Sequence, residues 1–317
     1  MSQIKKHLFS PALLMLLLPP LFWAGNFIIG RAVRDTIPPM TLSLWRWVIA
    51  MIFILPFAWK YIKRDYRQYF MYRWLLVRLS LAGVVAFNSL VYLGLRDTTA
   101  GNALLLNSFI PVLIALFGAI FYGYRLQCLQ NIGLLLSCAG VLVIITHGDW
   151  QRLTSLKFSS GDLIVFCAMV SFSLYTLWLR SIPPQIHRLG LMSAQIAVAF
   201  VFLIPLWGIE ASQGISSHWS LPALFAVLYL GVFPSVLAYL FYNLCVSRFG
   251  AAQAGLCIHL IPVFGAILAV LFLNETFQLY HAAGMAAILG GIRLTLKPSL
   301  NKTSQSNVTI SPDRAND

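Results

Sequence analysis

Apolar residues along this chain fall into ten stretches long enough to cross a hydrocarbon core as helix, separated by short polar or charged breaks. A core about 30 Å thick needs roughly 20 apolar residues at a rise of about 1.5 Å each. The stretches cover residues 9–30, 40–59, 75–95, 101–122, 129–145, 161–179, 189–209, 221–242, 252–273 and 279–296. The pattern predicts an all-α membrane protein of ten transmembrane helices in two inverted five-helix repeats. Residues 1–150 form the first repeat and 151–298 the second, and 299–317, rich in Ser, Asn and Thr, read as a disordered cytoplasmic tail.

The repeat is clearest where residues 103–121 lie on 254–272 without a gap, so that Ile110-Pro111-Val112 meets Ile261-Pro262-Val263. Proline is expensive in a helix interior, by about 3 kcal/mol in soluble helices, and two in one register point to a duplicated role, here as hinges. Weaker pairs fall in the same order: 23–31 against 172–180, each closing on Arg, and Leu81-Ala-Gly83 against Leu230-Gly231. An odd number of spans per half makes the second half enter the membrane from the opposite side. That is the build of secondary transporters, with a site near the midplane and alternating access.

Composition agrees, with 59% hydrophobic and 10% charged residues against about 25% charged in soluble domains. The net charge of +13 is explained by topology, not nucleic acid. With the N-terminus in the cytoplasm, sixteen Lys and Arg fall at cytoplasmic ends and five outside, with Arg46 inside a span. This bias puts both termini on the cytoplasmic side. Six of the sixteen lie between Lys60 and Arg78, a stretch that also reads as an anionic-lipid patch, although topology alone accounts for it. Lys5-Lys6-His7 and the following apolar run resemble a signal peptide without its cleavage site, so the segment is expected to stay as the first span.

The candidate site residues are polar or aromatic groups inside spans. Arg46 takes a substrate or gating role, or a structural one in which it snorkels outward. His259, one turn before Pro262, is central enough to bind substrate or carry a proton, or to hydrogen-bond between helices. Asn26, Asn88, Asn107, Ser108, Tyr175, Gln195, Tyr239 and Asn243 bring hydrogen-bonding groups into apolar surroundings. Trp23, Tyr92, Trp178 and Phe109 are candidate apolar walls. The carboxylates lie at span ends or in loops, with Glu275 a candidate gate. In the last span Ala282, Ala286 and Gly290 form a small-residue stripe suited to packing within the chain or to a dimer. The five cysteines read as packing residues, with no metal site and no cofactor. Asn301 and Asn307 sit in glycosylation patterns that a cytoplasmic tail leaves without meaning.

Trp23-Ala-Gly-Asn-Phe27, Leu44-Trp-Arg-Trp47, Pro111, Pro262 and Leu273-Asn-Glu-Thr276, in this order and spacing, resemble the drug/metabolite transporter superfamily, specifically its EamA-type branch. The resemblance covers nearly all of residues 9–297 and implies an inner-membrane carrier of small metabolites, commonly an exporter of amino acids or related compounds. Where that family often has Gly-Glu, this chain reads Tyr122-Gly123-Tyr124-Arg125, so no first-half glutamate role is carried over. The expected function is secondary transport of a small amphipathic metabolite, with membrane lipid as surroundings and a monomer or homodimer as the unit. A receptor or scaffold would leave the inverted repeat unexplained. A membrane enzyme is unsupported, because no His-Glu-x-x-His, Gly-x-Ser-x-Gly or Walker-type Gly-Lys run occurs.

Overall fold

The computed structural model describes residues 11–124, 126–149, 151, 159–215, 217–272 and 277–296, and among these there is no strand. The described residues form the helices α1 (Pro11–Ala32), α2 (Pro39–Met71), α3 (Arg73–Asp97), α4 (Gly101–Tyr122), α5 (Cys128–Ile145), α6 (Ser160–Ser181), α7 (Arg188–Ser212) and α8 (Leu221–Phe249), then α9, from Ala251 through Phe272, and α10 (Leu279–Leu296). Nine of them, α1 to α9, are long and apolar enough to cross a membrane. Their outward faces show Ile52, Phe57, Leu135, Leu163, Val201, Phe225 and Leu271 exposed, a surface that only lipid makes favourable. Lys5, Lys6, Arg125, Arg152, Lys157, the 273–276 motif with Glu275, and the tail all lie outside the described residues.

Two helices outrun their apolar stretches. α2 continues to Met71, its basic, aromatic-rich end staying helical past the apolar stretch, and α8 continues to Phe249. α4 and α9 are each broken. α4 is interrupted at Ser108 and Phe109 and restarts at Ile110, and α9 passes through a 3-10 turn at Cys257–His259 before Leu260. Pro111 and Pro262 thus lie in the first turn of a new helical segment, where a missing N–H leaves no bond unmade.

The two halves superimpose in sequence register with little slippage. π-helical turns occupy Ser80–Ala86 in α3 and Gly231–Leu237 in α8, 151 positions apart, and α5 and α10 begin and end at the same spacing. In α2 and α7 the internal prolines Pro56 and Pro205 are 149 apart. The π turns correct the expected match of Leu81-Ala-Gly83 on Leu230-Gly231, since Ser80 aligns with Gly231. Short Leu-Gly strings slide freely along one another, whereas an extra residue in the helical ladder fixes register.

Reciprocal contacts close the halves on each other. Glu210 of α7 accepts from the amides of Met40 and Thr41 at 2.9 and 2.8 Å, capping α2, while Asp65 of α2 accepts from the amide of His187 at 2.9 Å, capping α7. Carboxylates at helix N-termini complete unpaired donors and oppose the helix dipole. α5 and α10 pack closely through Gly133, Gly140, Gly284 and Gly291; a Cβ on Gly140 would stand 2.6 Å from the Gly284 carbonyl. This seam differs from the expected stripe. Ala282 and Ala286 face outward, because the tight face of α10 is one helical step away, at Gly284, Ile288 and Gly291.

Candidate functional site

The buried stripe of α2 runs Leu42, Ser43, Arg46, Trp47, Ala50 and Ile54 at helical spacing. It aims Arg46 at the middle of the bundle, where the residue is 1% exposed. Snorkelling is thereby excluded. Nε donates to Ser235 Oγ at 2.7 Å, and Nη1 donates to Asn26 Oδ1 at 2.9 Å and to the Tyr92 hydroxyl. The Tyr92 hydroxyl itself donates to Asn26 Oδ1 at 2.9 Å. Among the described residues no carboxylate lies within 4.0 Å of this guanidinium; the ion pairs among those residues, Arg34 with Asp35 and Arg64 with Asp65, do not involve it. A buried cation held only by neutral dipoles is under-compensated, by several kcal/mol on general grounds.

The π turns supply the surroundings. Pro234 has no N–H for the Leu230 carbonyl, and Ser235 Oγ bonds that carbonyl instead at 2.6 Å, which holds the hydroxyl in reach of Arg46. Trp23 Nε1 donates to the Pro234 carbonyl at 3.1 Å. In α3 the Gly83 carbonyl accepts from both Asn88 Nδ2 and the Tyr239 hydroxyl, at 3.2 and 2.5 Å. Trp23 then packs edge-on against Phe172, Tyr239 and Tyr242, with centroids 5.1 to 5.8 Å apart. Between Trp23, Phe172, Phe87, Asn26, Asn107 and Ile261 lies a residual space of ≈ 10 Å³, room for about one water. The conformation is closed at the centre.

A second polar group stands in the other half. The Tyr175 hydroxyl donates to Asn243 Oδ1 at 2.9 Å, and Gln195 is 1% exposed on α7, which packs against the second part of α8. Gln195 Nε2, Asn243 Nδ2 and Trp47 Nε1 are buried without a partner, each at a cost of about 1–3 kcal/mol.

Three expected residues stand elsewhere. His259 is fully buried, with Nδ1 at 2.6 Å from Ser137 Oγ and Nε2 at 2.9 Å from the Ser108 carbonyl. Its imidazole ties α9 to α5 and α4, while Ile258 and Ile261 form the cavity wall at this level. Trp178 lies under the Arg78 guanidinium, 5.8 Å from its ring centroid, apart from the aromatic cluster. Phe109 is exposed. Conversely, Ser235, Phe87, Phe172 and Tyr242 belong to the centre without being sequence candidates, and Trp47 of the Leu44–Trp47 motif is fully buried there, not set against lipid. The alignment of Phe172 with Trp23 was the available signal.

At the end that holds Lys60 to Arg78, a wider cleft of ≈ 730 Å³ lies among Arg64, Gln185, His187, Arg188, Leu240 and Ser247. Arg64 is engaged with both oxygens of Asp65, at 2.6 and 3.0 Å. His187 stacks on Tyr61 and accepts from the Leu189 amide at 3.3 Å through Nδ1. Burial, helped by the nearby Arg64 charge, moves the His187 imidazole below its ordinary pKa.

The model of the EamA-like transporter family matches residues 10–146 and 159–297, one match for each half. An uncharacterized transporter of Archaeoglobus fulgidus is 28% identical over 289 residues, covering 89% of this chain and 96% of its own. A protein of Streptantibioticus cattleyicolor named a probable terminal-alkyne amino-acid exporter is 24% identical over 298 residues, covering 94% and 97%. A solved crystal structure shares the fold with a TM-score of 0.69 at 20% identity, over 90% of this chain and 97% of that one.

Proposed function

Since the chain belongs to the EamA-like transporter family, we propose that it is a secondary carrier of a small amphipathic carboxylate, an amino acid or close relative, working by alternating access between its halves. The observation that supports this reading is Arg46: a guanidinium at the centre of the bundle, 1% exposed, paired with Asn26, Tyr92 and Ser235 and, among the described residues, with no carboxylate beside it. A planar fork of donors suits a carboxylate held through two oxygens, and the aromatic cage of Trp23, Phe172, Tyr239 and Tyr242 suits an apolar side chain. Asn107 lines the space beside Trp23 and Phe172, and Asn88 braces the Tyr239 hydroxyl. In the closed state the neutral acceptors occupy the guanidinium; an entering carboxylate replaces them as the centre opens. Ligand shifts the equilibrium between states only by its differential affinity, and a charge that lacks a counter-ion in one state supplies such a difference.

Opening needs places where helices can bend at low cost. The breaks at Ser108–Phe109 and Cys257–His259, each followed by Pro111 or Pro262, are those places. Efflux from the cytoplasm, both termini inside and an inner-membrane location complete the reading; the exporter from Streptantibioticus supports its direction and substrate class.

Counterflow in proteoliposomes tests it. Liposomes loaded with an amino acid should accumulate the labelled compound, the amino acid's methyl ester should compete poorly, and Arg46→Gln should abolish the difference between acid and ester. Equal competition by acid and ester in the wild type would refute the assignment of Arg46.

A further inference from the structure

The two halves differ in one respect that bears on what the carrier accepts. The registers set by Pro56 and Pro205 and by the two π turns place Gln195 at the position of Arg46, Asn243 at that of Tyr92 and Val84 at that of Ser235. The pairing of Trp23 with Phe172 places Tyr175 at that of Asn26. The asparagine–tyrosine hydrogen bond is therefore made twice with the residue types exchanged, at 2.9 Å in each half.

What is not repeated is its closure. Arg46 is long enough to reach Asn26, Tyr92 and Ser235. Gln195 is shorter and uncharged, and Val84 offers no hydroxyl. The amide nitrogens of Gln195 and Asn243, both on residues 1% exposed, are left without acceptors. Buried donors of this kind are rare in folded proteins unless water or a ligand completes them.

We propose that Gln195 and Asn243, braced by Tyr175, are the second pole of the substrate site and take a neutral hydrogen-bond acceptor of the substrate, a carbonyl, amide or hydroxyl oxygen. The inference rests on the reading of Arg46 as the carboxylate pole. Two amide donors neither neutralise a second carboxylate nor stabilise a cation, so the favoured class is monocarboxylates with a polar, uncharged side chain. Such a site rejects an analogue lacking the acceptor, because its own donors then stay unpaired.

Glutamine and norleucine test this, since they share the carboxylate and the ammonium and differ by a neutral amide in place of alkyl. In proteoliposomes containing the full chain, wild type should show a KM about tenfold lower for glutamine than for norleucine, the worth of one hydrogen bond. Gln195→Met and, independently, Asn243→Leu should bring the ratio close to one. The ratio is insensitive to the fraction of folded carrier, so reduced expression of either variant leaves the readout intact. A wild type without preference, or a ratio unchanged in both variants, as expected if a trapped water alone completes the amides, would overturn the proposal. Norleucine against its methyl ester in Arg46→Gln reports separately on the carboxylate pole.

Discussion

Replacing Arg46 by Gln separates a binding role from a structural one. Had the arginine been a structural keystone, its loss would strand buried partners and cost about 3–5 kcal/mol. The geometry forecasts otherwise. The Tyr92 hydroxyl still donates to Asn26 at 2.9 Å, and Ser235 Oγ still donates to the Leu230 carbonyl at 2.6 Å. Every acceptor that Arg46 leaves retains a partner, and the desolvation cost of an under-compensated charge disappears with the side chain. Stability of Arg46→Gln should therefore stay within about 1 kcal/mol of wild type, a shift of a few degrees in Tm for a chain of this size. Binding should collapse. Two charge-assisted hydrogen bonds to a carboxylate, at about 1.5–3 kcal/mol each, correspond to a KM raised by roughly a hundredfold or more. Thermal unfolding in detergent and counterflow at matched protein give the two numbers. A Tm lowered by more than about 10 °C with KM unchanged would refute the reasoning and make Arg46 structural.

Gly140→Ala should lower Tm by the equivalent of about 1–3 kcal/mol, since its Cβ would meet the Gly284 carbonyl at 2.6 Å, whereas Gly290→Ala, whose nearest neighbour is at 3.7 Å, should be neutral; equal effects would contradict the seam. His259→Ala should destabilise by stranding Ser137 and the Ser108 carbonyl while leaving the pH profile of transport in its wild-type shape; a flattened profile would restore the proton role. His187 has a lowered pKa through burial and Arg64, so its neutral ring contributes stability that is complete above about pH 6.5 and lost as pH falls through the lowered value. His187→Asn, which caps α7 without titrating, should flatten this acid limb of the Tm profile, and an unchanged limb would locate the titration elsewhere.

A hydrogen-bonding group inside an apolar span must find a partner, and in a bundle partners are found inward. Asn26, Arg46, Tyr92, Tyr175, Asn243 and Tyr239 meet for that reason. Their roles were less legible. His259 reads as a titratable group at depth, yet both its nitrogens are engaged by Ser137 and Ser108, residues 122 and 151 positions away. Ser235 draws no notice in a Leu-rich string; its importance comes from the carbonyl that Pro234 frees.

Membrane class, the two repeats and the proline register were determined by the sequence alone, since each depends on hydrophobicity summed over one segment or on a match between two. Direction and distance are tertiary properties. Depth along a span cannot tell whether Arg46 turns outward to water or inward to Asn26, because the face a helix presents is set by the helices packed around it. Nor does the stripe of small residues in α10 show which face is tight; the carbonyls of α5 decide it at Gly284 and Gly291. The difference between Arg46 and Gln195 is written in the sequence, but it acquires meaning only when the fold buries both side chains and leaves the Gln195 amide nitrogen without a partner.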